Sequence, residues 1–201
     1  MSLRIEQDGR LRRIALAAAE KRNFLDAALC HDLLRELRDA VADDAVGAIL
    51  LEADGPVFCT GVDPVAGEEL FKIGRTIVKP LVAAVQGVAI SGGLALLANA
   101  HVVLAAQGTS FGLTDIREGK WSEAIYRAVA SAIGERRALE LCLTGRIFST
   151  PDAVAWGLVH QVAPAFELDD RASEVAVALA NANPEAVRAG LRRPHTPGPL
   201  A

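Results

Sequence analysis

One carboxylate stands out by its position. Asp115 closes the run Phe111-Gly112-Leu113-Thr114-Asp115, which follows the stretch Val88-Ala89-Ile90-Ser91-Gly92-Gly93-Leu94-Ala95. Glycines that end an apolar strand and open a helix leave backbone N–H groups free to hold an anion. An acid near such a cradle can move protons on whatever is held there. Glu118 and Glu123 lie just beyond Asp115 and are alternative bases.

The elements that must position these groups read as alternating strands and helices. Leu3–Gln7 and Leu11–Ala17 flank Asp8-Gly9 as strand, turn and strand. Leu25, Leu29, Leu33, Leu37 and Val41 recur every four residues, which predicts a helix with Asn23 as its cap. Val46–Glu52 reads as a buried strand ended by Asp54-Gly55-Pro56, and Val57-Phe58-Cys59 as a brief extended piece. A helix is predicted over Glu68–Val78, a strand over Leu81–Ile90, a buried helix over Gly92–Asn99 and a strand over His101–Ala106. Helices follow over Glu123–Ile133 and Arg136–Leu143, separated by Gly134. A short helix over Pro151–Trp156 has Thr150 as a cap, and Val159–Val162 is a last strand. Helices over Leu168–Asn181 and Glu185–Leu191 precede a loose tail from Pro194. This order predicts an α/β chain with largely parallel pairing.

The 201 residues suffice for one ordinary domain, and no repeat or linker divides them. A net charge of −4 with no basic block argues against a nucleic-acid partner. No apolar run is long enough to span a bilayer, and the amino terminus is no signal peptide, so a cytoplasmic, non-membrane protein is expected. Cys30, Cys59 and Cys142 are odd in number and have no paired spacing, which argues against disulfides and a zinc site. His31, His101, His160 and His195 form no ligand spacing, so no metal is expected. Cys59 sits beside a glycine turn but has no histidine at a telling offset to activate it.

Four separated segments resemble the crotonase superfamily, the enoyl-CoA hydratase/isomerase family. They are Glu20-Lys21-Arg22-Asn23-Phe24-Leu25; Phe58-Cys59-Thr60-Gly61-Val62-Asp63; Lys79-Pro80-Leu81-Val82-Ala83-Ala84-Val85-Gln86-Gly87 running on to Ser91-Gly92-Gly93; and Leu143-Thr144-Gly145-Arg146-Ile147-Phe148-Ser149 running on through Ala155-Trp156-Gly157-Leu158-Val159. The resemblance implies a ββα spiral core over residues 1–163 and a shortened helical carboxy-terminal segment over 164–201. It implies an acyl-CoA thioester substrate, no separate cofactor because coenzyme A belongs to the substrate, and a homotrimer or dimer of trimers. It places the two oxyanion-hole N–H groups on Val62 and Gly92, and substrate contacts at Phe24, Leu25, Gly61, Asp63, Gly93 and Trp121. From the residues alone, Asp63 reads as a turn or cap residue and Trp121 as packing.

The departures from the family pattern bear on the reaction. Hydratases of this family use two glutamates, and the matching positions here are Ala95 and Asp115. Water addition needs one group to activate the water and another to place a proton. Moving a double bond from C3 to C2 needs one base, and the pattern is similar to single-acid Δ3,Δ2-enoyl-CoA isomerases. Isomerisation with Asp115 as base is therefore the preferred expectation. The alternatives are hydration with a non-standard acid pair and a non-catalytic acyl-CoA binder. The stretch between Asp63 and Lys79 and the carboxy terminus are both shorter than usual for the family. Ser91 lies in a segment similar to the nucleophile region of Clp proteases, but no histidine stands near Asp115 and Ile116, where that base would fall.

Overall fold

A computed structural model describes residues 2–63, 65–73 and 76–192. Strands β1 (Leu3–Asp8) and β2 (Leu11–Leu16) form an antiparallel hairpin, with Gly9 supplying the positive φ of 54° at the turn. β2 then pairs in parallel with β3 (Ala48–Ala53), β3 with β4 (Leu81–Val85), β4 with β6 (Val102–Ala106), and β6 with β9 (Gln161–Ala163). A second, three-stranded sheet takes β5 (Val88–Ile90), β7 (Ser110–Gly112) and β8 (Ile147–Ser149). β5 and β7 are parallel, and β7 and β8 antiparallel.

Alternate strand residues face opposite sides of the six-stranded sheet, and both sides are covered. Ile14, Leu16, Ile49, Leu51, Ala83 and Val85 join the larger core with α1 (Ala27–Ala42) and α3 (Gly92–Ala98). Leu11, Ala48, Leu50, Val82 and Leu104 face α7 (Leu168–Ala180). Ala172, Ala176 and Ala180 recur every four residues along α7 and let it lie close to the sheet. A Cβ on Gly47 would stand 2.1 Å from the Ala180 carbonyl oxygen, so only glycine fits that approach. Arg13 of β2 fastens α7 from the side. Its guanidinium bonds Glu52 Oε2 at 2.7 Å, Ser173 Oγ at 2.7 Å and the Asp169 carboxylate. The remaining helices are α2 (Gly67–Lys72), α4 (Glu123–Ile133), α5 (Glu135–Thr144), α6 (Thr150–Ala155) and α8 (Pro184–Leu191).

Several boundaries differ from those read in the sequence. The strand expected over 81–90 is two strands in two sheets, because Gly87 turns at φ 66° against the Pro56 carbonyl. Asn23 does not cap α1. Asp26 does, accepting from Leu29 N at 2.9 Å, while Asn23 is fully buried. Ser149 rather than Thr150 caps α6, in a reciprocal box with Asp152. Thr150 instead donates from Oγ1 to the Thr109 carbonyl at 2.8 Å. The helix expected over 68–78 is seen as Gly67–Lys72; residues 76–78 are not helical, and residues 74 and 75 lie outside the described residues. The tail expected from Pro194 also lies outside them.

Candidate active site

The site is assembled where three segments meet. The first is held by Asn23, whose Oδ1 accepts from Ala18 N at 2.9 Å and whose Nδ2 donates to the Asp54 and Val57 carbonyls at 3.0 and 2.8 Å. Arg22 and Asn23 both take positive φ, 53° and 52°, so the chain turns sharply before Phe24 and Leu25. Leu25 then bridges to the second segment in parallel with Val62. Leu25 N–H donates to the Gly61 carbonyl at 3.0 Å, and Asp63 N–H donates to the Leu25 carbonyl at 2.8 Å. In such a bridge the opposing residue's own N–H points away from the partner. Val62 N–H accordingly has no backbone acceptor among the described residues.

The third segment is the entry to α3. Ser91 N–H donates to the Gly112 carbonyl at 2.9 Å, which ties the end of β5 to the end of β7. Ser91 sits at φ 49°, ψ −104°, a conformation costly for a residue with a Cβ. It aims the first turn of α3 at Val62. A Cβ on Gly92 would stand 2.6 Å from Val62 Cβ and 3.3 Å from the Gly61 carbonyl carbon. Gly92 N–H, in the first turn, has no backbone acceptor among the described residues. Two free backbone donors thus lie on adjacent segments. Gly93 serves packing, since its Cβ would meet Cys59 Cβ and the Cys59 carbonyl oxygen at 2.9 Å.

Phe24 is 41% exposed, and its ring lies over Gly61, where an added Cβ would be 3.1 Å from Cε2. Leu25 is fully buried. Asp63 turns its carboxylate to the chain, accepting from Val65 and Ala66 N–H at 3.0 Å each. Asp115 opens a short 3-10 turn (Asp115–Glu118) that follows β7 and is half-buried. With Leu113, Ile125, Cys142 and Trp121 it lines a space of about 10 Å³, room for about one water. Val62 and Gly92 do not line that space. Glu118 is exposed and paired with Lys120 at 2.7 Å. Glu123 is exposed, and hydrogen bonds from Arg127 and then Trp121 hold its carboxyl below the usual range. Trp121 is itself 46% exposed and tilts against Tyr126.

The position of the absent second acid is Ala95, fully buried one turn into α3 among core side chains. The thiols are protonated at neutral pH: burial pushes Cys30 and Cys59 up to about 12 and Cys142 up to about 11. Among the described residues no cluster of His, Cys, Asp and Glu could hold a metal ion, and no helix is long and apolar enough to cross a membrane. Sequence reasoning missed Asn23 as the anchor of the first segment and Leu113, Ile125 and Cys142 as neighbours of Asp115. The signal for Asn23 was an amide just before an apolar helix, which a cap explains equally well.

Residues 65–193 match the family described as enoyl-CoA hydratase/isomerase. The chain belongs to that family. It is 31% identical to an enoyl-CoA hydratase of known structure from Mycobacterium tuberculosis H37Rv, over 96% of this chain and 88% of that one, with a TM-score of 0.84. Human enoyl-CoA hydratase domain-containing protein 3 superposes with a TM-score of 0.88 at 25% identity, over 95% and 82% of the two chains. Mevalonyl-coenzyme A hydratase sidH of Aspergillus fumigatus is 28% identical over 198 residues, 90% of this chain and 73% of that one. The α/β architecture is the crotonase fold. In this member of the enoyl-CoA hydratase/isomerase family, the two backbone donors lie on segments in contact, and the turn after β7 carries two acids, the half-buried Asp115 and the exposed Glu118.

Proposed function

We propose that this chain acts on an acyl-CoA thioester by stabilising its enolate, and that it moves a double bond from C3 to C2. The observation that carries the reading is the contact between Gly92 and Val62, each with an N–H free of backbone partners among the described residues. Two such donors can meet the negative charge that appears on a thioester oxygen when a proton leaves the α-carbon. In the proposed step, the Asp115 carboxylate takes a proton from C2 of a 3-enoyl thioester. The electron pair spreads onto the carbonyl oxygen, and the resulting dienolate is held by Val62 and Gly92 N–H. Asp115 returns the proton at C4, and the double bond settles between C2 and C3. Proton and electrons balance within the substrate, and one carboxylate suffices.

Hydration is the runner-up, because the relatives named above carry hydratase names. Its two-acid scheme would need a second carboxylate where the buried Ala95 stands. Glu118 and Glu123 are tied to Lys120 and Arg127 on the surface. A third reading, a binder of CoA esters without turnover, is favoured by the small space beside Asp115. The family resemblance also supports self-association as a trimer.

Purified protein offered a panel of 2-enoyl- and 3-enoyl-CoA esters separates these readings. Isomerisation of a 3-enoyl ester is expected, and Asp115→Asn should abolish it while leaving CoA-ester affinity within about twofold. Unchanged turnover in that variant overturns the role of Asp115. Binding without turnover of any ester leaves only the binder reading.

A further inference from the structure

At the other end of the six-stranded sheet, where β3 and β4 begin, a cavity of about 220 Å³ opens between the sheet, the end of α7 and helix α8. Its charged lining is Arg10, Lys79, Arg188 and Asp44. Three cations against one carboxylate give this space a net charge of +2, in a chain whose formal net charge is −4. The remaining wall is mostly apolar, from residues such as Val46, Val78, Leu179 and Val187.

Two of these cations, Lys79 and Arg10, are held there by hydrogen bonds to backbone carbonyls. Lys79 is only 7% exposed, and its Nζ donates to the Ala40 carbonyl at 2.9 Å and to the Asp43 carbonyl at the end of α1. Burial lowers its pKa, Asp43 and Asp44 oppose that, and Arg188 and Arg10 add to the lowering, so Lys79 feels both arginines. Arg10 uses Nε on the Ala180 carbonyl at 3.2 Å. Among the described residues, the outer nitrogens of Arg10 and the whole Arg188 guanidinium have no side-chain partner. Like charges gathered against an apolar wall raise the free energy of the unliganded protein, and a counter-charge relieves it.

We propose that this cavity binds a small organic dianion, a phosphate monoester or a dicarboxylate. Two negative charges match the local +2. The volume of about 220 Å³ is below the ~300 Å³ at which drug-sized ligand pockets begin, so a small ligand fits the space. The forked guanidinium groups of Arg10 and Arg188 suit paired carboxylate or phosphate oxygens, the buried Lys79 supplies a fixed charge, and the apolar wall takes the carbon body. The cavity is lined by neither Val62, Gly92 nor Asp115, so this proposal stands apart from the proposed reaction.

Calorimetric titration of the full chain at low ionic strength with methyl phosphate, succinate and acetate tests it. Methyl phosphate or succinate is expected to bind one site with Kd on the order of 1 mM or tighter. Whichever of the two binds identifies the dianion. Arg188→Ala should weaken binding at least tenfold, and Arg10→Ala with Arg188→Ala should abolish it. Both side chains are exposed, and an unchanged circular dichroism spectrum confirms that the variants fold. No binding of either dianion at ~10 mM, equal binding of acetate, or full binding by the double variant overturns the proposal.

Discussion

Gly92 and Val62 are packed so closely that no side chain fits between them: a Cβ on Gly92 would lie 2.6 Å from Val62 Cβ and 2.9 Å from Cγ1. Gly92→Ala must therefore push the first turn of α3 away from Val62. Displacing one donor of an oxyanion-type pair costs about 10²–10³ in kcat. We expect a loss of that size on the 3-enoyl ester, with KM changed less. A variant that keeps kcat within threefold would count against the paired donors.

Ala95→Glu would place the missing acid of the hydratase scheme. Because Ala95 is fully buried in the core, the added carboxylate overpacks it and loses its water. A loss of at least ~3 kcal/mol is expected, or a melting temperature about 6–12 °C lower for a chain of this length. No hydration of 2-enoyl-CoA should appear. Scanning calorimetry and a 2-enoyl-CoA assay check both parts.

Asn23→Ala removes all three of the bonds that its amide makes to Ala18, Asp54 and Val57 and leaves buried backbone groups unpaired. A cost of about 2–4 kcal/mol is expected. Urea unfolding measures it, and a loss under about 1 kcal/mol would mean that water replaces the amide.

His101 links stability to pH. Its Nδ1 accepts from Leu81 N at 2.9 Å, and burial holds its pKa below the ordinary 6.5. Protonation is easier in the unfolded chain. The contribution of His101 is therefore fully present above pH 6.5 and is lost as pH falls from there through the lowered folded value. Melting temperatures recorded down through that window should fall, and the fall should be shallower in His101→Leu, which starts lower because Leu81 N–H loses its acceptor.

Leu139, Leu143 and Ile147 are exposed by 41%, 58% and 46% on α5 and β8. If the proposed trimer uses this surface, light scattering finds an oligomer for the native chain and a smaller species for Leu143→Glu. A native chain that is monomeric at micromolar concentration contradicts the trimer.

The long elements were legible because their periodicity is long. Leu29, Leu33 and Leu37 mark the buried face of α1, and all three are buried at 1% exposure or less, while Leu25, the first of the series, precedes the helix. Gln86-Gly87 interrupts the apolar run over 81–90, but that it ends a strand was not legible locally, since its cause is the distant Pro56 carbonyl. β7 and β8 have three residues each, too few to show a period. At the site, the glycines and the free acid were readable as residue types. The burial of Asn23 and the strained Ser91 were not, because both arise from contacts with segments remote in sequence.

The switch of the chain from one sheet to the other at Gly87 has a mechanical consequence. Gly92 follows β5 and Asp115 follows β7, and these strands are neighbours in the small sheet, tied by the Ser91–Gly112 bond. Val62 follows a segment that is bonded to β5 as well: Cys59 N–H donates to the Val88 carbonyl at 3.1 Å and Ile90 N–H to the Cys59 carbonyl at 2.9 Å. Any sliding of the small sheet against the large one would therefore carry Val62, Gly92 and the start of the Asp115 turn as one block. The spacing of the two donors is thus a stiff dimension of this site, set by pairing on both sides of β5.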